Sequence, residues 1–270
     1  MQPLSAFTRD ARRALRGVLC DIDDTLSTDG RVSAAAYGAM ERLQQAGLLV
    51  IPVTGRPAGW CDHIARMWPV DAVVGENGAF YFRYDQATRT MQRRFVDDAP
   101  TRARQRERLA QIGAAIVNAV PGAAIAADQA FRETDLAIDF CEDVTPLPPA
   151  AIEAIVRQMQ AHGLTAKVSS IHVNGWFGRY DKRAMTQTLL RDGFGVDVET
   201  ARTTFAFVGD SPNDAPMFEF FTHAIGVANV RDFGARVQPL PAYVTLQRCG
   251  AGFAEAADHL LAARAEPLQL

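Results

Sequence analysis

Apolar and polar positions alternate in two different ways along the chain. Its two ends contain short, continuous apolar runs, which are typical of strands buried on both faces of a parallel sheet. These runs predict strands at 17–22, 48–53, 71–74, 204–208, 224–228 and 242–245. Stretches with helical spacing lie between them, some with capping residues at their ends, and predict helices over 34–46, 57–67, 181–191 and 253–263. This alternation predicts an α/β fold with a Rossmann-like, doubly wound parallel sheet.

The middle of the chain has a different pattern. Apolar and polar residues alternate there with a period of two, which is typical of strands with one solvated face. The pattern predicts a hairpin formed by 79–84 and 91–96, strands at 135–141 and within 165–177, and helices over 101–119 and 148–162. We interpret this region as an inserted α+β cap domain, an open sheet with two helices, at residues 85–178. The catalytic core then consists of residues 1–84 and 179–270.

Composition narrows the classes of partner. The chain has 270 residues, a net charge of -3 and a pI near 6.0, which argues against a broad nucleic-acid-binding face. No run approaches 18 apolar residues, and the N-terminus lacks the apolar segment of a secretory signal. Four scattered cysteines without a C-x-x-C pair suit a reducing compartment. We therefore expect a cytoplasmic protein without membrane or nucleic-acid partners; its oligomeric state is not readable from the sequence.

Polar clusters follow the predicted core strands. Asp21 and Asp23 come directly after the first strand, Thr54 after the second, and Asp210 after the strand at 204–208. Ligands bind at the carboxyl ends of the strands in open parallel sheets, so these side chains are expected to converge. Lys182 opens a predicted helix and is one of only two lysines in the chain, which favours a specific use of its ammonium.

The carboxylates in these clusters suit a metal-assisted reaction. Asp21 and Asp210 offer the hard oxygen ligands that Mg²⁺ prefers, and the metal would also offset the repulsion between neighbouring acids. A carboxylate such as that of Asp21 can attack phosphorus and form an aspartyl-phosphate. Asp23, two residues further on, is placed to protonate the leaving group and later to deprotonate a water.

The remaining residues suit phosphate binding. Thr54, with the backbone amides of Gly55 and Arg56 beside a helix N-terminus, predicts a phosphate cradle. Lys182 would balance the negative charge of the nucleophile and of the phosphoryl oxygens. Thr54 alone is more often a helix cap, and Lys182 alone more often a surface lysine; their combination with the acids favours the functional interpretation.

These motifs, in this order, resemble those of the haloacid dehalogenase-like superfamily, in particular the Cof-type and sucrose-phosphate phosphatase-like enzymes of subclass IIB, which carry a C2 cap. The resemblance rests on Asp21-Ile22-Asp23-Asp24-Thr25-Leu26, Thr54-Gly55-Arg56-Pro57, Lys182 and Gly209-Asp210-Ser211-Pro212-Asn213-Asp214. Many subclass IIB members have Gly where this chain has Asp24, so one position departs from the pattern.

The resemblance implies a role for each motif residue. Asp21 would be the nucleophile and a Mg²⁺ ligand, and Asp23 the acid/base that also offers its main-chain carbonyl to the metal. Asp210 would be the third protein ligand. Asn213 and Asp214 would hold metal-bound waters or the side chain of Lys182.

Cap residues are the candidates for substrate contact. His172 and Asn174 alternate with apolar residues in one predicted strand, so they share one face; they line the active site or belong to a solvated sheet face. Asn77, in a Glu-Asn-Gly turn after the third strand, is either a ligand contact or a plain turn residue. Arg132 and Asp135 precede the central cap strand; they are either substrate contacts or residues of a solvated sheet face.

The sequence therefore predicts a Mg²⁺-dependent phosphatase that hydrolyses a small phosphomonoester. A sugar phosphate or similar metabolite is expected because a mobile cap closing over the site would exclude proteins. Two alternatives stay open: a phosphomutase on the same fold, and a catalytically silent binding or regulatory protein.

Overall fold

A parallel sheet is the central element of the structure, a computed structural model that describes residues 1–265. The strands are β1 Gln2–Pro3, β2 Gly17–Cys20, β3 Ser27–Thr28, β4 Arg31–Val32, β5 Leu49–Pro52, β6 Val73–Gly75, β7 Phe80–Asp85, β8 Thr90–Phe95, β9 Ala124–Ile125, β10 Asp135–Asp139, β11 Thr165–Val168, β12 His172–Trp176, β13 Phe205–Gly209, β14 His223–Gly226 and β15 Tyr243–Val244. The α-helices are α1 Arg9–Ala14, α2 Ala34–Gln45, α3 Ala58–Met67, α4 Ala99–Ala119, α5 Pro149–Ala161, α6 Lys182–Phe194, α7 Val198–Thr204, α8 Ala215–Phe220 and α9 Cys249–Ala265.

The central sheet is covered by helices on both faces. Its strands run parallel in the order β1-β15-β14-β13-β2-β5, and a parallel bridge between Val53 and Val74 places β6 beside β5. Val18 and Cys20 of β2 pack towards α2, α3 and α9, whereas Leu19 packs towards α6, α7 and α8. A strand buried on both faces reads as a continuous apolar run, so the predicted doubly wound α/β core is confirmed.

A second, antiparallel sheet lies in the middle of the chain. Its strands have the order β11-β12-β10-β9, and α4 and α5 pack on one of its faces. Leu136, Ile138 and Val173 point to these helices. Side chains alternate across a strand, so His172 and Asn174 lie on the opposite face. This open α+β unit fits the predicted cap within the fold. Within residues 1–265, no helix is long and apolar enough to cross a membrane.

The limits of the insert, 85–178, stay a prediction, and the structure suggests a later start. β8 pairs along its length with β7, which in turn pairs with β6. Met91 and Phe95 pack against the core beside α2, α3 and α9. The whole hairpin is therefore attached to the core, and we propose that the insert begins near residue 97, just before α4.

A buried carboxylate connects the core to the insert. Glu76, in the turn after β6, is fully buried and accepts a hydrogen bond from the N–H of Ala58, the first residue of α3, at 2.9 Å. It also accepts from the backbone N–H of Glu133 at 2.9 Å and of Thr134 at 2.6 Å, and from the Thr134 hydroxyl. One side chain thus satisfies a helix N-terminus of the core and a turn of the insert.

A buried guanidinium makes a second connection. Arg132 of the insert donates to Asp128 through Nε and Nη2, and to Asp135 through Nη1 at 3.0 Å. The same Nη1 donates to the backbone carbonyl of Gly55 in the core at 3.0 Å. Arg132 and Asp135 therefore neutralise each other in the structure, which favours a positioning role for them over direct substrate binding.

Replacement of Glu76 by Gln is expected to destabilise the protein. Glutamine has nearly the same size but only one acceptor oxygen for the four donors, so buried N–H groups lose their partner. We expect a loss of about 1–3 kcal/mol in the free energy of unfolding, measured by urea denaturation. Glu153→Gln, at an exposed position of α5, is the matched control and should stay near wild type. Equal stability of the two variants would contradict the role given to Glu76.

Candidate active site

Two neighbouring strands of the central sheet deliver the acidic residues. β2 ends just before Asp21 and β13 just before Asp210, and the backbone N–H of Asp21 donates to the carbonyl of Val208 at 2.9 Å. Asp214 follows in the turn that precedes α8. One carboxylate oxygen from each of Asp21, Asp210 and Asp214 lies within 4.8 Å of the others, and all three residues are buried.

Lys182 binds two of these three carboxylates. It is the first residue of α6, it is buried, and its Nζ donates to Asp21 Oδ1 at 2.7 Å and to Asp214 Oδ1 at 2.8 Å. Burial alone lowers the pKa of Lys182, but the two carboxylates raise it above its ordinary value. The ammonium is therefore charged, and it joins three elements that are distant in sequence.

The third carboxylate has neutral partners. Asp210 accepts hydrogen bonds from the Thr25 hydroxyl and from Asn229 Nδ2, each at 3.1 Å. Burial, followed by the nearby charges of Asp214 and Asp21, raises the pKa of Asp210 well above its ordinary value. Asn229 was not predicted from the sequence. Its amide also binds the backbone of Asp24, a long-range contact for which no local pattern exists.

The cluster has the composition of a divalent-cation site. Three carboxylates and one ammonium leave two formal negative charges in a buried space, a state that is costly without a counter-ion. Burial raises the pKa of Asp21 to about 8, and the ammonium of Lys182 opposes that rise. Hard carboxylate oxygens at this spacing suit Mg²⁺, so the residues fit the predicted metal. Asp214 also accepts a hydrogen bond from the backbone N–H of Asp210 at 3.1 Å, so it holds the turn that carries this predicted metal ligand.

The predicted phosphate cradle is only partly as expected. Thr54 is fully buried, and its hydroxyl accepts a hydrogen bond from the backbone N–H of Arg56 at 3.0 Å. That amide is therefore engaged within the loop, which corrects the expectation that it faces phosphate. Asn77 lies against Gly55, where an added Cβ would come within 3.2 Å of Asn77 Nδ2. This Nδ2 is buried without a hydrogen-bond partner among the described residues, and it offers a donor beside the cradle.

The guanidinium of Arg56 binds Asp23 instead of pointing to the cradle. Its Nε and Nη2 donate to Asp23 Oδ1 at 3.0 and 2.8 Å, and Nη2 also donates to Glu142 of the insert at 2.9 Å. The guanidinium lies over the ring of Trp60, 4.6 Å from its centroid. The guanidinium, for which the sequence predicted no role beside that of the backbone amide, is thus the partner of the predicted acid/base.

The free face of the insert's sheet closes over the acidic cluster. Asp21 and Asp23 line the same cavity as His172 and Asn174, so the interpretation of these two as solvated residues is excluded. Asn174 Nδ2 donates to Asp135 at 3.0 Å, which leaves its carbonyl side as the part available to a ligand. Asn213 lines the cavity on the core side, and its Oδ1 accepts from the Ser211 hydroxyl at 2.7 Å.

Comparisons with known proteins agree with this arrangement. A family model described as haloacid dehalogenase-like hydrolase matches residues 18–103. A phosphoglycolate phosphatase of Methanothrix thermoacetophila is 25% identical over 251 residues, which cover 92% of this chain and 98% of that protein. A solved structure of Thermoplasma acidophilum protein 0175 has a TM-score of 0.69 at 17% identity and covers 92% of this chain and 98% of its own. Residues 18–103 thus match the haloacid dehalogenase-like hydrolase family, and the whole chain shares the fold of these proteins.

The similarity extends over the insert as well as the core. The sucrose-phosphatase of Synechocystis, solved with sucrose and phosphate, has a TM-score of 0.62 at 18% identity, covering 91% of this chain and 98% of that chain. The comparisons agree with the predicted family and with the prediction of a phosphatase-type enzyme, and the solved structure shares the fold of the core and the insert. The roles of individual site residues stay predictions that rest on the geometry above.

Magnesium is expected to stabilise the hydrolase through the acidic cluster. Mg²⁺ binds the folded state and offsets its surplus charge, so millimolar Mg²⁺ should raise the melting temperature. In Asp210→Asn the rise should fall to less than about half, because one hard anionic ligand is lost. Differential scanning fluorimetry with and without Mg²⁺ measures both increments. Asp258→Asn, at an exposed ion pair with Arg42, should retain the full increment; the same increment in all three proteins would contradict the site.

Proposed function

We propose that this phosphatase of the haloacid dehalogenase-like family is Mg²⁺-dependent and hydrolyses a small phosphomonoester, with a sugar phosphate as substrate. The observation that carries the proposal is the buried cluster of Asp21, Asp210 and Asp214, bridged by Lys182 and covered by the insert. The relatives include a sucrose-phosphatase and a phosphoglycolate phosphatase, so sugar phosphates and phosphorylated acids are the two substrate classes to compare.

The metal site in this proposal uses Asp21, Asp210 and the main-chain carbonyl of Asp23. When bound, Mg²⁺ would neutralise part of the negative charge that the cluster and a phosphoryl group bring together. Lys182 supplies a further positive charge, at 2.7 Å from Asp21. Its hydrogen bond fixes the Asp21 carboxylate, and its positive charge lowers the pKa of Asp21 against the effect of burial, which favours the ionised state that a nucleophile requires.

The proposed path divides hydrolysis into two displacements. A carboxylate oxygen of Asp21 attacks phosphorus, the bond to the substrate oxygen breaks, and Asp23 donates a proton to the departing alkoxide. Asp23 then takes a proton from water as that water attacks the aspartyl-phosphate, which releases inorganic phosphate and restores both carboxyl groups. In this path Thr54 and Asn77, whose Nδ2 has no hydrogen-bond partner among the described residues, would hold phosphoryl oxygens.

Arg56 gives Asp23 a fixed orientation in this path. Two parallel N–H groups of one guanidinium grip the carboxylate, a geometry that a lysine does not reproduce. The stack on Trp60 limits the guanidinium further. Proton transfer depends on placement within hydrogen-bond reach of the leaving oxygen, so Arg56 acts as a positioning residue.

Asp21→Asn is expected to abolish turnover while leaving the fold intact. The amide has the same shape but is a poor nucleophile, so hydrolysis of a chromogenic aryl phosphate should fall by at least about 10³-fold. Wild type should need Mg²⁺ and lose activity in EDTA. Circular dichroism of the variant checks that the fold is retained.

Three outcomes would contradict either the proposed nucleophile or the proposed phosphatase activity. Activity retained in Asp21→Asn would place the nucleophile elsewhere. No turnover by wild type with Mg²⁺ would favour a silent binding protein. Isomerised hexose phosphate without release of inorganic phosphate would identify a phosphomutase.

Arg56→Lys is expected to lower kcat by about 10- to 100-fold, because Asp23 loses its two-point grip and is misplaced for proton transfer. The pH profile of kcat should change as well, since the charged environment of Asp23 changes with it. Steady-state kinetics across pH measure both effects. Arg66→Lys, in the helix α3 that follows Arg56 and paired with Asp62 at 2.8 Å on the surface, is the matched control. Unchanged kinetics and an unchanged pH profile in Arg56→Lys would remove the positioning role.

A further inference from the structure

A turn of the insert holds a carboxylate in a fixed position against Arg56 and His172, two residues that line the cavity. Glu142 follows β10, and the turn is built around the buried side chain of Asp139. Asp139 accepts hydrogen bonds from the backbone N–H groups of Cys141, Glu142 and Asp143 at 2.8, 2.7 and 2.8 Å. Three bonds to one carboxylate hold this turn tightly, so the position of Glu142 is set by the fold.

The Glu142 carboxylate lies between two basic side chains. Its Oε1 accepts from Arg56 Nη2 at 2.9 Å, and its Oε2 lies 2.8 Å from Nε2 of His172. His172 and Arg56 lower the pKa of Glu142 to about 2, against the effect of its partial burial. The group is therefore an anion at any pH near neutrality.

The basic groups of this cavity are already matched by acids. Arg56 binds the carboxylates of Asp23 and Glu142, and Arg132 binds those of Asp128 and Asp135. Each of the two guanidiniums that line the cavity, within the part of the chain that the structure describes, thus has at least two carboxylate partners. A substrate with a second anionic group would find no surplus positive charge there, and it would approach the anion of Glu142.

We propose that Glu142 selects the leaving group: it accepts hydroxyl groups of an uncharged, polyol-type leaving group and excludes leaving groups that carry a carboxylate. This inference rests on the proposed phosphatase function and adds the substrate class. Glu142 has acceptor capacity beyond Arg56 and His172, since an ionised carboxylate offers about four lone-pair sites. A hydroxyl can use one of these sites, whereas a second carboxylate is repelled at the same place.

Two small phosphate esters test this directly. The test pair is 2-hydroxyethyl phosphate and phosphoglycolate, which differ in carrying a terminal CH₂OH or a terminal carboxylate. Wild type should favour 2-hydroxyethyl phosphate in kcat/KM by about tenfold or more, an amount that one partly screened like-charge contact supplies. Glu142→Gln removes the charge and frees Arg56, so the ratio should fall by about tenfold, chiefly through a gain for phosphoglycolate.

Comparing the ratio of the two kcat/KM values between wild type and variant removes other causes of a preference. The two esters differ in intrinsic reactivity, but that difference is the same for wild type and variant. Glu153→Gln, an identical change at an exposed position of the insert, should leave the ratio unchanged. Glu142→Asp keeps the charge and should keep most of the preference, which distinguishes a charge effect from general damage to the turn.

The outcomes separate this inference from the function on which it rests. An unchanged ratio in Glu142→Gln, or a wild-type preference for phosphoglycolate, would overturn the role of Glu142 while leaving a phosphatase. Where the enzyme turns over either ester too slowly, the inhibition constants of both esters against aryl-phosphate hydrolysis are compared instead of kcat/KM. Equal inhibition constants of the two esters in wild type would overturn the role as well. Failure of wild type to hydrolyse the aryl phosphate with Mg²⁺ would instead defeat the proposed function itself.

Discussion

The burial of three carboxylates with a single ammonium is the constraint on which the rest of the structure depends. Parallel strands β2 and β13 end side by side, so their terminal acids are forced together at one edge of the sheet. Like charges in a space of low polarity are costly unless each is hydrogen-bonded and the surplus is offset. Lys182 offsets one charge, and Thr25 and Asn229 satisfy Asp210. The remaining two charges mark the proposed cation site, whose position follows from the topology of the sheet, which explains why distant segments must meet there.

The insert is held over that site mainly by polar groups with fully matched partners. Glu76 accepts four hydrogen bonds, two of them from the backbone of the insert, and Arg132 reaches the carbonyl of Gly55. The apolar side chains of the insert's sheet face α4 and α5 and form a separate core. Polar links of this kind exchange readily with water when two units separate, whereas an apolar interface would expose a large dry surface. The insert is therefore stabilised by its own apolar core, and its polar contacts set its orientation on the catalytic unit.

Local pattern was enough to predict the central sheet and the acidic cluster. Continuous apolar runs identified β2, β5 and β13, and their polar ends identified Asp21, Thr54 and Asp210, because both signals lie within a few residues of each other. Short elements such as α7 and α8 escaped, since one or two turns contain too few apolar positions to define a period. Glu142 and Asn229 escaped for another reason: their partners lie 86 and 19 residues away, and no spacing in the sequence encodes such contacts. For Arg56 the loop pattern predicted a use of the backbone amide, because a local pattern does not show in which direction the side chain points.

Arg56 joins the proposed chemistry to the proposed selectivity. One guanidinium binds Asp23 from the core and Glu142 from the insert, both within 3.0 Å through its Nη2. A charged group shared between two carboxylates cannot change its interaction with one without changing the field at the other. Any substitution that alters Glu142 therefore also alters the surroundings of the acid/base, so leaving-group preference and proton transfer are energetically coupled. The coupling requires the insert to be in place, because Glu142 belongs to the insert and Asp23 to the core. The insert thus does more than cover the site, because it completes the charge arrangement around the proposed acid/base.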